Sequence, residues 1–289
     1  ACSINFADAL MVQGLYQDKP PFPFSPGLEA AGDILEVGEG VKGFKPGMRV
    51  AALCGHGGLA EQVVVPAGVC MPIPNEMSYT HAAAFSIAYG TSHVALDHRG
   101  KLKKGETLLV HGAAGGVGLT AVELGKLMGA SVIATASTPE KLELARAYGA
   151  DHLINYREEN FRDRVKEITN GRYADVIFDP VGGDVFDLSM RSIAWEGRIL
   201  VIGFASGRIP ELPANLALVK NCSVVGVYWG KYSQRNPAVL LESLQQLMQW
   251  YSQGKLKPHV NQTFPLSESV EAMHTLMNRK AQGKVVVEI

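Results

Sequence analysis

The amino-acid sequence predicts an α/β protein in two parts, a compact irregular β domain and a doubly wound parallel sheet. Three observations carry that prediction. As far as about residue 90 the chain is rich in glycine and proline and holds only short apolar runs. From about His93 onward, strand patterns and helix patterns alternate. At the head of that alternation, Thr107-Leu108-Leu109-Val110 runs through His111-Gly112-Ala113-Ala114-Gly115-Gly116-Val117-Gly118 into Leu119, Val122, Leu124 and Leu127 at helical spacing.

In chain order, Ala30–Val37, Arg49–Leu53, Glu61–Pro66 and Val69–Ile73 read as short β-rich strands. Gly38-Glu39-Gly40-Val41 and Phe44-Lys45-Pro46-Gly47 carry the turn chemistry between them. The alternating part gives strand Thr107–Val110, helix Leu119–Met128, strand Ser131–Ala136 and helix Pro139–Tyr148. It continues with strand His152–Asn155, a helix near Phe161–Thr169, and strands Ala174–Asp179, Arg198–Gly203 and Ser223–Tyr228. A long amphipathic helix follows Pro237 to Tyr251, and Lys284–Ile289 reads as a last strand. The strand Ser223–Tyr228 carries no charge and is expected at a sheet edge, where pairing with a two-fold mate would cover it.

Composition narrows the function classes. With 289 residues, 47% of them hydrophobic, the chain has material for two packed cores. Its 27 basic and 28 acidic residues leave a net charge of −1, which argues against a nucleic-acid or membrane partner. The four cysteines, Cys2, Cys54, Cys70 and Cys222, form no C-x-x-C pair, so neither a disulfide framework nor a zinc ribbon is expected. A reducing, cytoplasmic setting follows. The longest stretch free of Asp, Glu, Lys and Arg, Met77 to Leu96, is too polar to span a bilayer.

A strand that turns through glycine into a helix presents backbone N–H groups and a helix N-terminus to a diphosphate. In Ala113-x-Gly115-x-x-Gly118 the first position suits the turn, the second admits the phosphates, and the third lets helix meet strand. Ala114, Gly115, Gly116, Val117 and Gly118 are therefore expected to hold a dinucleotide in a Rossmann-type unit. Such a unit taking NAD places an acid at the end of its second strand to hold the ribose 2′-OH. This chain has Ala134-Thr135-Ala136-Ser137-Thr138-Pro139 there, with no acid. Ser137 can donate to a 2′-phosphate and Lys141 can neutralise it, which favours NADPH. Ser137 or Thr138 can equally cap the helix that Pro139 opens.

The chain resembles the medium-chain dehydrogenase/reductase superfamily, in its zinc-free quinone oxidoreductase (zeta-crystallin-like) branch. The resemblance rests on Ile4-Asn5-Phe6-Ala7-Asp8, Gly14-Leu15-Tyr16, Pro26-Gly27-Leu28-Glu29-Ala30-Ala31-Gly32 and the His111–Gly118 turn. Phe178-Asp179-Pro180-Val181-Gly182-Gly183 and Gly197-Arg198-Ile199-Leu200-Val201-Ile202-Gly203 extend it along the chain. It implies a GroES-like substrate domain at residues 1–92 and 232–289 and a Rossmann domain at 93–231. It also implies β-structure upstream of the Asn5-Phe6-x-Asp8 segment, so a shortened sheet edge is expected. The catalytic zinc positions of the metal-bearing relatives correspond to Asn5, Leu28 and Ile87, a set unable to hold zinc. Cys54-Gly55-His56 reads better as a glycine turn.

The resemblance further places Asn5, Asp8 and Tyr16 around the substrate and Thr91 near the nicotinamide. Tyr16 is either a neutral hydrogen-bond donor to the acceptor oxygen or a packing residue. Asp8 is expected to orient its neighbours, being ionised unless strongly desolvated. Tyr156, Val181, Gly182, Phe204 and Ala205 are implied to line the cofactor. Lys284 is either a terminal cofactor contact or a solvated lysine. The expected function is NADPH-dependent, metal-free reduction of a quinone. Reduction of an activated C=C bond shares the same chemistry, and an NADPH-binding structural or RNA-binding role is the remaining alternative. The expected assembly is a homodimer through the 223–228 strand.

Overall fold

The computed structural model describes residues 1–289, and its larger sheet is parallel throughout. The order across it is Ser223–Gly226, Ile193–Val201, Ala174–Asp179, Thr107–Val110, Ser131–Ala136, His152–Asn155. Counted along the chain this is 3-2-1-4-5-6 read from the far side, the doubly wound order whose direction reverses beside the first strand. Thr107–Val110 is central because Leu108, Leu109 and Val110 have no exposed surface, as an apolar run covered on both faces requires. Leu109, Ile133, Ile154, Ile177 and Ile199, one from each of five strands, share a core with Phe161, Val165, Phe186 and Met190 from the crossover helices.

A buried histidine fastens the end of the central strand. The Oγ of Ser189 donates to Val185 O at 2.7 Å and so accepts from His111 Nε2 at 2.9 Å. His111 Nδ1 accepts in turn from Thr135 Oγ1 at 3.1 Å. Burial pushes the imidazole pKa down to about 3, so it stays neutral.

The second sheet is mixed, in the order Val260–Pro265, Lys284–Glu288, Cys2–Ile4, Glu29–Asp33, Arg49–Leu53, Cys70–Pro72. Its first pair is parallel and the others antiparallel. Cys2, Ile4, Leu59, Ala272, Ala281, Val285 and Val287 form its core. The expected strand Glu61–Pro66 does not form. Those residues have no ladder partner, and Val64 is wholly exposed despite the apolar alternation. The strand read as Arg198–Gly203 begins earlier, at Ile193, because Glu196 at φ 58° makes a bulge that the sequence pattern conceals.

Packing divides the chain into Ala1–Ile87 with Lys257–Ile289, and Ala88–Leu256. The boundaries expected near 92 and 232 are thus displaced. The helix Pro237–Ser252 joins the parallel-sheet unit because it buries Leu240, Ser243, Leu244 and Leu247 there. His93 Nδ1 lies 2.9 Å from Ser243 Oγ, and Trp250 meets the same imidazole edge-on at 5.4 Å. No helix is long and apolar enough to cross a membrane.

Because His111 stays neutral when folded but binds a proton below about pH 6.5 when unfolded, its contribution to stability is lost as pH falls through that value. His111→Gln is expected to flatten this dependence. In urea unfolding at pH 7 and pH 4.5, the variant's loss between the two should be smaller than the wild type's by about 2 kcal/mol.

Candidate functional site

The glycine turn brings the helix Gly116–Leu127 directly onto the end of Thr107–Val110. A Cβ at Gly118 would collide with the Gly112 carbonyl oxygen and stand 2.8 Å from the Gly112 carbonyl carbon. Gly112 itself sits at φ 58°, a left-handed conformation that favours glycine. Gly115 caps the helix without a side chain, so no side-chain oxygen occupies the first-turn amides. Val117 and Gly118 lie in that first turn beside Ala114, which is buried. This is a backbone cradle shaped for an anion at a helix N-terminus.

The loops after the two strands on the far side of the switch point complete the parallel-sheet end. Asp179 Oδ1 accepts from the amides of Val181 at 2.8 Å and Gly182 at 2.9 Å, closing an Asx turn. Burial raises the Asp179 pKa, and those two amides act in the opposite direction. Ala205 N donates to Pro180 O at 3.0 Å and Ser206 N to Val181 O at 2.9 Å, so Val181, Gly182, Phe204 and Ala205 are one structure. A Cβ on Gly112 would touch Val181 Cγ2 at 3.6 Å, which puts that structure beside the glycine turn. At the end of Ser131–Ala136, Thr138 Oγ1 takes the cap, accepting from Lys141 N at 3.4 Å. Ser137 is not the cap residue, and no acid stands between Ala136 and Pro139. Tyr156 follows the strand His152–Asn155 and is half-exposed, with its amide on Ala136 O.

Thr91 is buried in the helix Ser86–His93, which is fastened to the helix Gly116–Leu127 from both sides of it. Ser92 Oγ donates to Val117 O at 2.9 Å, and Tyr89 OH donates to the buried Glu123 Oε2 at 2.6 Å.

In the other unit, Asn5, Asp8 and Lys284 come together around a residue the sequence reading left without a role, Glu29. Glu29 Oε1 accepts from Ser3 Oγ at 2.6 Å, Asn5 Nδ2 at 3.1 Å and Lys284 Nζ at 3.3 Å. Its Oε2 accepts from the Ile87 amide at 2.8 Å. Lys284 is neither solvated nor aimed outward: it is 6% exposed, and Nζ also donates to Asn5 Oδ1 at 2.7 Å and Ile4 O at 3.4 Å. Its three N–H groups thus have internal acceptors, which overturns the solvated alternative for this lysine. Asn5, expected at the substrate, has both ends of its amide engaged here.

Asp8 is buried as well. Its Oδ1 accepts from Gly27 N at 2.9 Å and Leu28 N at 3.0 Å, and Oδ2 from Asn5 N at 2.8 Å. Burial raises its pKa to about 6 against the pull of those amides. With its acceptor positions filled by backbone, Asp8 orients the Gly27–Leu28 loop. Tyr16 lies half-buried in the segment after the helix Phe6–Val12. Asn5, Leu28 and Ile87 present an amide and two aliphatic side chains, and no group of three or more His, Cys, Asp or Glu side chains is placed to hold a metal. Cys54-Gly55-His56 is a turn, with Gly55 N on Leu28 O and Gly57 N on Ser25 O.

A doubly wound sheet with a glycine turn at the end of its first strand, carried with a mixed-sheet unit, is the architecture of a nicotinamide-dependent dehydrogenase or reductase. Residues 1–75 match the alcohol dehydrogenase GroES-like domain and residues 116–247 the zinc-binding dehydrogenase family. A quinone oxidoreductase-like protein 2 homolog of Nematostella vectensis is 46% identical over 99% of this chain and 79% of its own length. The structure of Escherichia coli quinone oxidoreductase complexed with NADPH has a TM-score of 0.91 at 32% identity, covering 100% of this chain and 89% of that one. CurK enoyl reductase has a TM-score of 0.90 at 29% identity, covering 99% and 88%. The chain belongs to the medium-chain dehydrogenase/reductase superfamily, in its quinone oxidoreductase-like branch, and is an oxidoreductase.

Sequence reasoning missed Glu29 and Asp179, although each stands in a quoted segment, Gly27-Leu28-Glu29 and Asp179-Pro180-Val181-Gly182. An Asp followed by Pro and two glycines is itself an Asx-turn signal. Removing one partner of a buried ion pair strands the other, at about 3–5 kcal/mol. Lys284→Met and Glu29→Gln should therefore each lower stability in urea unfolding, and the double variant should lose at least about 2 kcal/mol less than their sum.

Proposed function

We propose that this oxidoreductase binds NADPH on its parallel-sheet unit and reduces a quinone by metal-free hydride transfer. The cradle at Gly112–Gly118 carries the reading: Gly118 lets the helix start against the strand, and glycine at the cap leaves the first-turn amides without a side-chain acceptor. Gly115, Gly116, Val117 and Gly118 would take the diphosphate on their amides, with Ala114 alongside. Ser137, left free of the cap by Thr138, would donate to the 2′-phosphate while Lys141 neutralises it. Tyr156 would flank the adenosine, and Val181, Gly182, Phe204 and Ala205 the nicotinamide end, with Thr91 fixed near them by the bolted helix. The relatives' NADPH complexes support the same assignment.

When bound, the cofactor supplies a hydride from its nicotinamide ring. A quinone spreads the resulting charge over its own ring, so the chain needs to supply orientation and a neutral donor more than an acid/base pair. We assign the donor role to the Tyr16 phenol. Asp8 holds the Gly27–Leu28 loop, and the Glu29–Lys284 pair holds Asn5. The likeness to CurK enoyl reductase supports a second reading, reduction of an activated C=C bond with the same residues. The uncovered edge strand Ser223–Gly226, its valines half-buried, supports a homodimer formed by pairing with a second copy.

Titration of nicotinamide fluorescence should show NADPH binding far more tightly than NADH. Ser137→Asp should weaken NADPH by about thirtyfold through like-charge repulsion while sparing NADH. Anaerobic turnover of ortho- and para-quinones with NADPH decides the acceptor; turnover of enals or enones alone would favour the second reading. Light scattering should give twice the chain mass of 31.0 kDa, and the single mass would overturn the edge pairing.

A further inference from the structure

The turn Gly55-His56-Gly57 is one half of a double loop in the mixed-sheet unit, and Ser25–Leu28 is the other. Gly55 N donates to Leu28 O at 3.1 Å, Gly57 N to Ser25 O at 2.7 Å and Gly58 N to Gly27 O at 3.0 Å. Leu59 N donates to Pro26 O at 2.9 Å, and Ser25 Oγ to Leu59 O at 2.6 Å. The two backbones touch, for a Cβ on Gly27 would collide with the Leu59 nitrogen and stand 2.8 Å from Gly58 Cα. Asp8 holds the inner edge through Gly27 N and Leu28 N. Burying that carboxylate costs desolvation, and what it secures is the placement of the double loop.

This braced loop presents one titratable side chain. Between Pro20 and Leu28, and between Gly55 and Ala60, the sequence holds no acid, lysine, arginine, cysteine or tyrosine, and His56 is its one histidine. His56 is exposed, and its imidazole has no hydrogen-bond or ion-pair partner. Its ring stands edge-on to Phe24, with centroids 6.3 Å apart and planes at 72°. Phe24 lies in turn 5.2 Å from Phe22, which is 78% exposed. Cys54, two residues before His56, keeps its proton, because burial pushes its thiol up to about 11. A lone imidazole at the end of a row of rings, on a loop fixed by Asp8, is free to meet a ligand.

We propose that His56 gives the reduced acceptor its proton. The inference rests on the reading of the protein as an NADPH-dependent quinone reductase. Two-electron reduction of a quinone takes up a hydride and a proton. Hydride addition leaves one quinone oxygen as an oxyanion. The imidazolium N–H bond of His56 then breaks as the O–H bond forms, and neutral hydroquinone departs. The exposed ring takes its next proton from solvent. Tyr16 is suited to hydrogen-bond the developing charge, but a phenol keeps its proton near neutrality. Imidazole is the side chain that changes charge between about pH 5 and 8. Phe22 and Phe24 offer the planar quinone a face to rest on beside it.

The test is steady-state quinone reduction with NADPH by the full chain, His56→Gln and His56→Ala, from about pH 5 to about pH 9. Wild-type kcat/KM for the quinone should fall as rising pH removes the imidazolium, and both variants should lose that fall. At the acid end their turnover should be lower by about tenfold, with NADPH affinity unchanged. The usual loss of about a hundredfold or more is not expected, because water reaches an exposed turn. Imidazole added to His56→Ala should restore part of the turnover. Variants equal to wild type at every pH overturn the inference, as does a loss uniform in pH that imidazole leaves untouched. Either result leaves the quinone-reductase reading standing. A wild-type chain that binds NADPH yet reduces no quinone defeats that reading, and this inference with it.

Discussion

Gly118 closing onto Gly112 is the contact on which the parallel-sheet unit depends. The helix Gly116–Leu127 can begin that close to its strand only because Gly118 brings no side chain and Gly112 takes a left-handed turn. The fully buried strand Thr107–Val110 fixes where the turn happens, and His111 fastens the strand's end through Thr135 and Ser189. Everything assigned to the cofactor is measured from that point. The Asp179 turn lies against Gly112 through Val181, and the helix carrying Thr91 is tied to Val117 through Ser92.

The mixed-sheet unit solves a different problem, placing charge in a dry interior. Glu29 receives a hydroxyl, an amide, an ammonium and a backbone N–H, so its buried carboxylate is satisfied on both oxygens. Lys284 comes from the last strand, Ser3 from the first and Glu29 from the one beside it, and one ion pair therefore registers three strands. Buried pairs of this kind specify an arrangement more than they add stability. Here the arrangement is that of Asn5 and, through Asp8, of the Gly27–Leu28 loop.

The central strands and the Rossmann helices were legible because each carries its own signal: an apolar run, a glycine turn, a Thr-Pro helix start. Glu61–Pro66 misled because alternation marks a strand only where a neighbour offers a ladder, and none does. Lys284 misled for a related reason. A lysine in isolation reads as solvated, and only the distant carboxylate at Glu29 makes its burial tolerable. The helix Pro237–Ser252 was legible as a helix, but its side of the boundary was set by Ser243 meeting His93.

The sequence alone determined the fold class, the position of the glycine turn and the absence of an acid after the second strand, since these are properties of contiguous residues. Tertiary structure alone decided which polar side chains are free to meet a ligand. It committed Asn5, Asp8 and Lys284 to internal partners. The physical reason is that a hydrogen bond is made by atoms distant in sequence, and whether a donor is satisfied depends on every element that packs around it.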